Sequence, residues 1–426
     1  MRSLTGIVSL IVLCCFTGAS AEVAAPSRAS ILKKGQRVAV VGDSITEQKL
    51  YSKFIELYLT ACLPELDLHV IQLGWGGETA PGFAARMNND LLPWKPDVVT
   101  TCYGMNDGSY RAYDESIGKR YALAMADIVA RLKKAGATVV VGGPGVVDSK
   151  YFQGGGEKAK VYNDNLKHLS EHAKKIAETE GFPHADVFGA MMAAMEKAKP
   201  VLGEAYDVGG KDGVHPGPNG HLVMAYAFLK GMGIDGQIAT ITVDLKGAAT
   251  ASEGHKVLGS EAGKVELESS KYPFCFVGDE KSAAGTRSML PYVPFNADLN
   301  RFTLVVKNLD GAKAKVTWGA ASKTFAKEDL EKGINLAAEF AENPFAEPFR
   351  KLDAMVFAKQ QLETGMIKSV INQFPRTVDA MGKDKAAEAS VEALRKQMLE
   401  TQEKLGASIR SAVVPVKHAI VVAVEK

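Results

Sequence analysis

The sequence predicts an α/β fold built on a doubly wound parallel sheet, followed by a β-rich and then helical extension. Three observations carry this expectation. Between Gln36 and Gly236, short apolar runs (Val38 to Val41, Leu68 to Leu73, Val98 to Cys102, Thr138 to Val141) alternate with helix-period stretches. These runs are continuous rather than alternating, as strands covered on both faces require, which implies three layers with helices above and below the sheet. From Ile238 to Phe325 the texture changes to short β-like segments separated by Gly, Asn and Asp, and after Lys327 to long Ala/Glu/Lys/Leu-rich stretches.

The elements follow in order. Residues 1–21 read as an export signal: Arg2 is a positive start, Ile7 to Phe16 an apolar run, and Ala19-Ser20-Ala21 a small-residue cleavage site. The run is short for a bilayer span, so a secreted or periplasmic protein is expected rather than one inserted in a membrane. The α/β domain then occupies 31–236, with helical spacing over Tyr51 to Leu63 and Ile117 to Lys134. The segment 238–325 reads as an antiparallel sheet or small sandwich, because its turn signals are closely spaced. The region 326–426 reads as helical, around Asp353 to Asn372 and Lys385 to Leu405, with a last strand at His418 to Val424. Prolines set breaks within Asn343 to Pro348 and at Phe374-Pro375.

Composition narrows the function classes. A net charge of +2 gives no field that would draw nucleic acid or an anionic membrane. Beyond the export signal three cysteines remain, Cys62, Cys102 and Cys275, which cannot all pair and show no zinc-site spacing. Cys102 ends an apolar run and suits a small core position. No G-x-G-x-x-G follows the first strand and no phosphate-binding G-x-x-x-x-G-K-[ST] occurs, so a nucleotide-binding domain is not indicated. The G-x-S-x-G elbow of α/β-hydrolases is absent as well.

Three apolar runs end in unusual polar loops, and in an open parallel sheet such loops meet outside the carboxyl ends of the strands. They bring Ser44 (in Gly-Asp-Ser), Gly77 (in Gly-Trp-Gly-Gly) and Asn106 (in Gly-Met-Asn-Asp). A hydroxyl, backbone N–H groups and a side-chain amide are the parts of a nucleophile and an oxyanion hole. A serine needs a base, and the base an orienting acceptor. Of eight histidines, only His215 follows an aspartate by three, Asp212, within a Gly- and Pro-containing turn. Asp43 reads as a loop or capping residue, and His221 as a loop or helix-start histidine. His168-Leu169-Ser170-Glu171-His172 matches the H-x-x-E-H zinc pattern, but no third ligand is apparent and the two histidines flank an apolar stripe.

The segments VAVVGDSITEQ, LGWGGETAPGF, YGMNDG and DGVHPGPNGH, in that order, resemble the four signature blocks of the SGNH (GDSL-type) hydrolase superfamily. The resemblance spans Gln36 to Gly236, about half the chain. It implies a flavodoxin-like hydrolase domain and a serine esterase acting without metal or organic cofactor. Ser44 would be its nucleophile, Asp212 and His215 its partners, and Asn106 and a block-two glycine its oxyanion donors. Either Gly76 or Gly77 could be that glycine; Gly77 is chosen because it directly precedes Glu78-Thr79. The implied substrate is a small-molecule or polysaccharide ester, with short acyl or O-acetyl groups on carbohydrate as the leading expectation. A lysophospholipase or thioesterase, or a non-catalytic extracellular binding protein on the same fold, are the alternatives. The segment after Ile238 lies outside the blocks; its β-rich part could be a carbohydrate-facing module or a packing domain, and the helices after Asp353 could lie over the site.

Overall fold

The computed structural model describes residues 29–425 apart from residue 262. The export signal lies outside the described residues. Five parallel strands, β1 (Arg37–Gly42), β2 (His69–Gly74), β3 (Val98–Cys102), β4 (Thr138–Gly142) and β5 (His184–Ala185), form one sheet in the order β2-β1-β3-β4-β5. Side chains of β1 divide between two cores. Val38 and Val40 face one, Ala39 and Val41 the other, and all four are fully buried. Each buried valine contributes about 1.5–3 kcal/mol, which is why the run reads as unbroken apolar sequence. On the first face lie α2 (Tyr51–Leu57), α6 (Val187–Leu202) and α7 (Pro218–Gly231); on the second, α3 (Ala80–Asp90) and α4 (Glu115–Lys134), with α5 (Glu157–Glu180) beside α4.

The second part of the chain is a two-sheet sandwich. One sheet runs in the order β13-β10-β6-β7 and the other β12-β11-β14-β9-β8. The strands are β6 (Gln237–Asp244), β7 (Thr250–Ala251), β8 (His255–Glu261), β9 (Lys264–Ser269), β10 (Arg301–Lys307), β11 (Lys313–Trp318), β12 (Ala321–Ala326), β13 (Ile334–Asn335) and β14 (Val416–Glu425). The antiparallel expectation fails at one place: β6 and β10 pair in parallel. The chain between them crosses into the second sheet and returns through the 270–300 loop, so the two strands enter from the same end. Strand β14 sits in the middle of the second sheet, between β11 and β9, so the sandwich includes the end of the chain. Between the sheets, Phe302 and Trp318 lie 5.1 Å apart, ring centre to ring centre.

A continuous helical rod runs from Ala346 to Ala380, its middle, Met366–Gln373, being π-helical. The break expected at Phe374-Pro375 does not occur. Proline removes an N–H and frees the carbonyl four residues earlier, here that of Ile371, and Asn89 Nδ2 donates to it at 3.2 Å. The rod and the helix Lys385–Ser411 lie along β2, the edge strand of the parallel sheet. Edge strands expose unpaired backbone groups that must be covered. Here Lys359 Nζ and Gln402 Nε2 donate to the Val70 carbonyl at 2.8 and 3.2 Å, and the Gln72 N–H donates to Glu363 at 3.1 Å. No helix among the described residues is long and apolar enough to cross a membrane.

Candidate active site

Strand register places the site. Gly42 at the end of β1 pairs with Gly74 of β2 on one side and Cys102 of β3 on the other. The loops that follow these three strands therefore start side by side, at the point where strand order reverses. After β1, the Asp43 carboxylate accepts from the Ile45 N–H at 3.0 Å and caps the short helix α1 (Ser44–Glu47). Ser44 thus opens a helix, with its own N–H free of any partner among the described residues. Burial pushes the Asp43 carboxyl up to about 7.

His215 Nε2 lies 2.8 Å from Ser44 Oγ, and its Nδ1 lies 2.6 Å from Asp212 Oδ2. The other oxygen of Asp212 accepts the N–H groups of Val214 and His215, at 2.9 and 2.8 Å. Partial burial would raise this carboxyl, but the two backbone N–H groups and the imidazole outweigh it and hold it below the usual range. An ionised Asp212 fixes the proton on Nδ1, which leaves Nε2 to accept from the serine hydroxyl. The turn demands its glycine: Gly213 has φ +87°, and a Cβ there would come within 2.3 Å of the Phe152 backbone. The His215 side chain is 34% exposed, so the site opens to solvent and substrate.

The Gly76 N–H donates to the Glu47 carboxylate, whereas the Gly77 N–H has no hydrogen-bond partner among the described residues. That separates the two candidate glycines in favour of Gly77 as a free donor. Gly77 has φ +73°, a conformation that turns the peptide and favours glycine. Asn106 Nδ2 donates to the Glu78 carbonyl at 2.8 Å, tying the third loop to the second and leaving one amide hydrogen unassigned. The next residue, Asp107, accepts from the Ala80 N–H at the start of α3, at 3.0 Å; burial raises its carboxyl to about 6. Arg86 closes the second loop from beneath, pairing with both Glu78 and Asp90 at 2.5 Å and lying 4.9 Å from the Trp75 ring centre.

His221 is fully buried in the first turn of α7. Its Nδ1 accepts from the Tyr51 N–H at 3.1 Å, its Nε2 faces Gln48 Oε1 at 2.9 Å, and burial lowers it to about 3. It is a neutral packing residue. His168 stacks on Tyr113 and, like His172 beside it, is half-buried; no group of three metal-ligating side chains occurs among the described residues. Cys62, Cys102 and Cys275 are all buried and unpaired.

Sequence reasoning missed three neighbours of the site. The Tyr110 hydroxyl donates to Asn106 Oδ1 at 2.9 Å. Glu47, besides accepting from Gly76, pairs at 2.5 Å with Lys368 from the π-helical part of the rod. The Ser-Tyr that follows the third block was a clue to Tyr110, because loop residues next to a reacting group are often functional. Nothing local marks Lys368, which lies more than three hundred residues from Glu47 along the chain.

Residues 40–223 match the GDSL-like Lipase/Acylhydrolase family. This α/β segment is a GDSL-type hydrolase domain of the SGNH superfamily, a class of carboxylic ester hydrolases. The acetylxylan esterase of Geobacillus stearothermophilus is 25% identical over 216 residues, which cover 47% of this chain and 95% of that protein. A solved gut microbial diltiazem-metabolizing enzyme is similar along nearly the whole length, with a TM-score of 0.74 at 22% identity over 93% of this chain and 99% of that one. That likeness shows the fold, sandwich and helices included. An α/β hydrolase from the metagenome of Lake Arreo, Spain, is 24% identical over 47% of this chain and 97% of its own, with a TM-score of 0.40.

Proposed function

We propose that this protein hydrolyses short acyl esters, O-acetyl groups on carbohydrate above all, through an acyl-enzyme on Ser44. The observation that carries this is the unbroken chain from Ser44 Oγ to His215 Nε2 at 2.8 Å and from His215 Nδ1 to Asp212 at 2.6 Å. His215 takes the hydroxyl proton as Ser44 Oγ bonds to the ester carbonyl carbon, and Asp212 stabilises the imidazolium. The N–H groups of Ser44 and Gly77 and the Asn106 amide hold the oxyanion. The C–O bond to the alcohol then breaks as His215 returns the proton to it. Water, deprotonated by the same imidazole, attacks the acyl-serine and regenerates the hydroxyl. No step calls for a metal or an organic cofactor.

The acetyl preference and the carbohydrate alcohol draw support from the acetylxylan esterase relative, and the open, partly exposed His215 suits a bulky alcohol. The apolar run and small residues of the first 21 positions favour export to the periplasm or medium. A fluorophosphonate probe tests the nucleophile: labelling is expected, and expected to vanish in Ser44→Ala. Labelling that persists in this variant overturns the assignment. A panel of p-nitrophenyl acetate, longer acyl esters and acetylated xylan tests the substrate, and activity restricted to long acyl chains defeats the sugar-ester proposal. A non-catalytic binding protein would leave both assays blank.

A further inference from the structure

The family match ends at residue 223, and the chain beyond it returns to the edge of the catalytic centre. The Trp75 N–H donates to the Gly42 carbonyl at 3.1 Å, two residues before Ser44, and Trp75 itself lies two residues before Gly77. Its side chain and the helical rod enclose an open cleft of about 560 Å³. The cleft is lined on the rod side by Lys368, Gln373, Arg376 and Thr377, and no carboxylate is among its lining residues. Lys368 Nζ lies 5.5 Å from the Trp75 ring centre.

The charges here pair unevenly. Glu47 answers Lys368 at 2.5 Å and is itself held by the Gly76 N–H. Beneath Trp75, Arg86 is matched by both Glu78 and Asp90. Arg376 is exposed and takes part in no ion pair or side-chain hydrogen bond among the described residues. The cleft therefore keeps a guanidinium without a partner, presented beside the oxyanion loop. The helix is also π-helical over Met366–Gln373, a rare conformation that recurs at functional sites. Here it carries Lys368 to Glu47 and Gln373 to the cleft wall, with Arg376 following one turn later.

We propose that this cleft is a subsite for a carboxylate carried by the substrate away from its scissile ester, as on a uronic-acid unit of an acetylated polysaccharide. Arg376 is the recognition residue, since a guanidinium fork matches a carboxylate with two parallel hydrogen bonds. Lys368, already answered by Glu47, keeps that carboxylate, and through it the Gly76 peptide, in place. The C-terminal rod is thereby a specificity element as well as a cover for the sheet edge. This rests on the esterase reading above and extends it to acidic glycans.

The test compares acetylated oligogalacturonides as free acids with the same oligomers fully methyl-esterified, using p-nitrophenyl acetate as a reference ester and the full chain throughout. The ratio of kcat/KM for acid over methyl ester is expected to be about tenfold, equivalent to about 1.4 kcal/mol. It should fall toward one in Arg376→Gln, and also in the native protein at about 1 M salt, where the screening length is about 3 Å. A native ratio near one overturns the proposal, as does a ratio that Arg376→Gln retains, or cleavage of p-nitrophenyl acetate with both oligomers inert. If p-nitrophenyl acetate is itself untouched, the esterase reading falls and the subsite with it. Arg376 is exposed, so the variant is expected to fold, and an unchanged melting temperature verifies that.

Discussion

The Tyr110 hydroxyl donates to Asn106 Oδ1 at 2.9 Å while Asn106 Nδ2 donates to the Glu78 carbonyl at 2.8 Å. Held at both ends, the amide can rotate in neither direction, and its remaining hydrogen points in one way only. Tyr110 and Ser109 both have positive φ, +55° and +57°, a strain of order 1–3 kcal/mol each that usually marks functional loops. The ring stacks on Tyr162 and Phe152, at 5.2 and 6.3 Å. Tyr110→Phe keeps that stack and removes only the hydroxyl. It is expected to lower kcat about fivefold, the worth of about one hydrogen bond, with KM for p-nitrophenyl acetate little changed. An unaltered kcat, or a loss confined to KM, would show that the phenol does not orient the amide.

Asp212 makes a different kind of contribution. Its carboxylate receives two backbone N–H groups and the imidazole, and its side chain is 55% exposed. Asp212→Asn keeps the shape but offers an N–H where an acceptor is needed, which favours the wrong tautomer of His215. Turnover is expected to fall by about 10⁴, as in other enzymes with this arrangement, with the melting temperature nearly unchanged. Steady-state kinetics beside a thermal scan separate the two, and a variant that loses stability but keeps its turnover would contradict the role.

The parallel sheet and the loops around Ser44, Asn106 and His215 were legible in the sequence because each depends on local patterns. Continuous apolar runs announce strands buried on both faces, and Asp212-Gly213-Val214-His215 closes on itself within one turn. What stayed hidden depends on distant partners. Asn89 rescues the carbonyl freed by Pro375, so a break read from proline alone was wrong. The parallel pairing of β6 with β10 and the central place of β14 are decided by long crossovers that periodicity does not encode. Lys368 reaches Glu47 only because the rod packs along β2, and no motif foretells that.

Inside the sandwich the Trp318 N–H donates to His418 Nδ1 at 3.1 Å, and Ser269 Oγ lies 2.8 Å from both His418 Nε2 and His255 Nδ1, whose Nε2 faces the Ile238 carbonyl at 3.0 Å. The indole can only donate, so every proton in the chain is fixed: His418 donates to Ser269, Ser269 to His255, and His255 to Ile238. Both imidazoles are neutral in the fold, burial lowering His418 to about 4 and His255 below its ordinary value. Their contribution is present above about pH 6.5. It is lost as pH falls toward 4, because only the unfolded chain takes up the protons. Asp43, Asp107 and Glu56, raised by burial, act in the opposite sense over the same range. The measurement is therefore a difference: the melting temperature of His418→Gln should lie below the native one at pH 7.5 and fall less steeply from pH 6.5 to 4.5. Parallel acid slopes would sink this account.

Against the sheet edge, Lys359 lies 3.1 Å from Glu56 and 2.5 Å from Glu363, all three side chains being buried. Burial opposes the charge on Lys359, but the two carboxylates outweigh it and raise its affinity for the proton. Glu56 is pushed by burial up to about 7 in spite of the lysine. Removing the cation leaves two buried carboxyls facing each other, and breaking such a cluster from one side costs about 3–5 kcal/mol. Lys359→Met is expected to lose that much stability near pH 8. It should lose less near pH 5, because a carboxyl whose folded pKa is raised contributes stability in acid and loses it as pH rises through that value. Adding Glu56→Gln to Lys359→Met should return part of the loss at pH 8, since one of the two opposed charges is then gone. Denaturant unfolding of the single and double variants at both pH values checks the sign. A penalty for Lys359→Met that does not depend on pH would mean that the lysine matters for its donation to the Val70 carbonyl rather than for its charge.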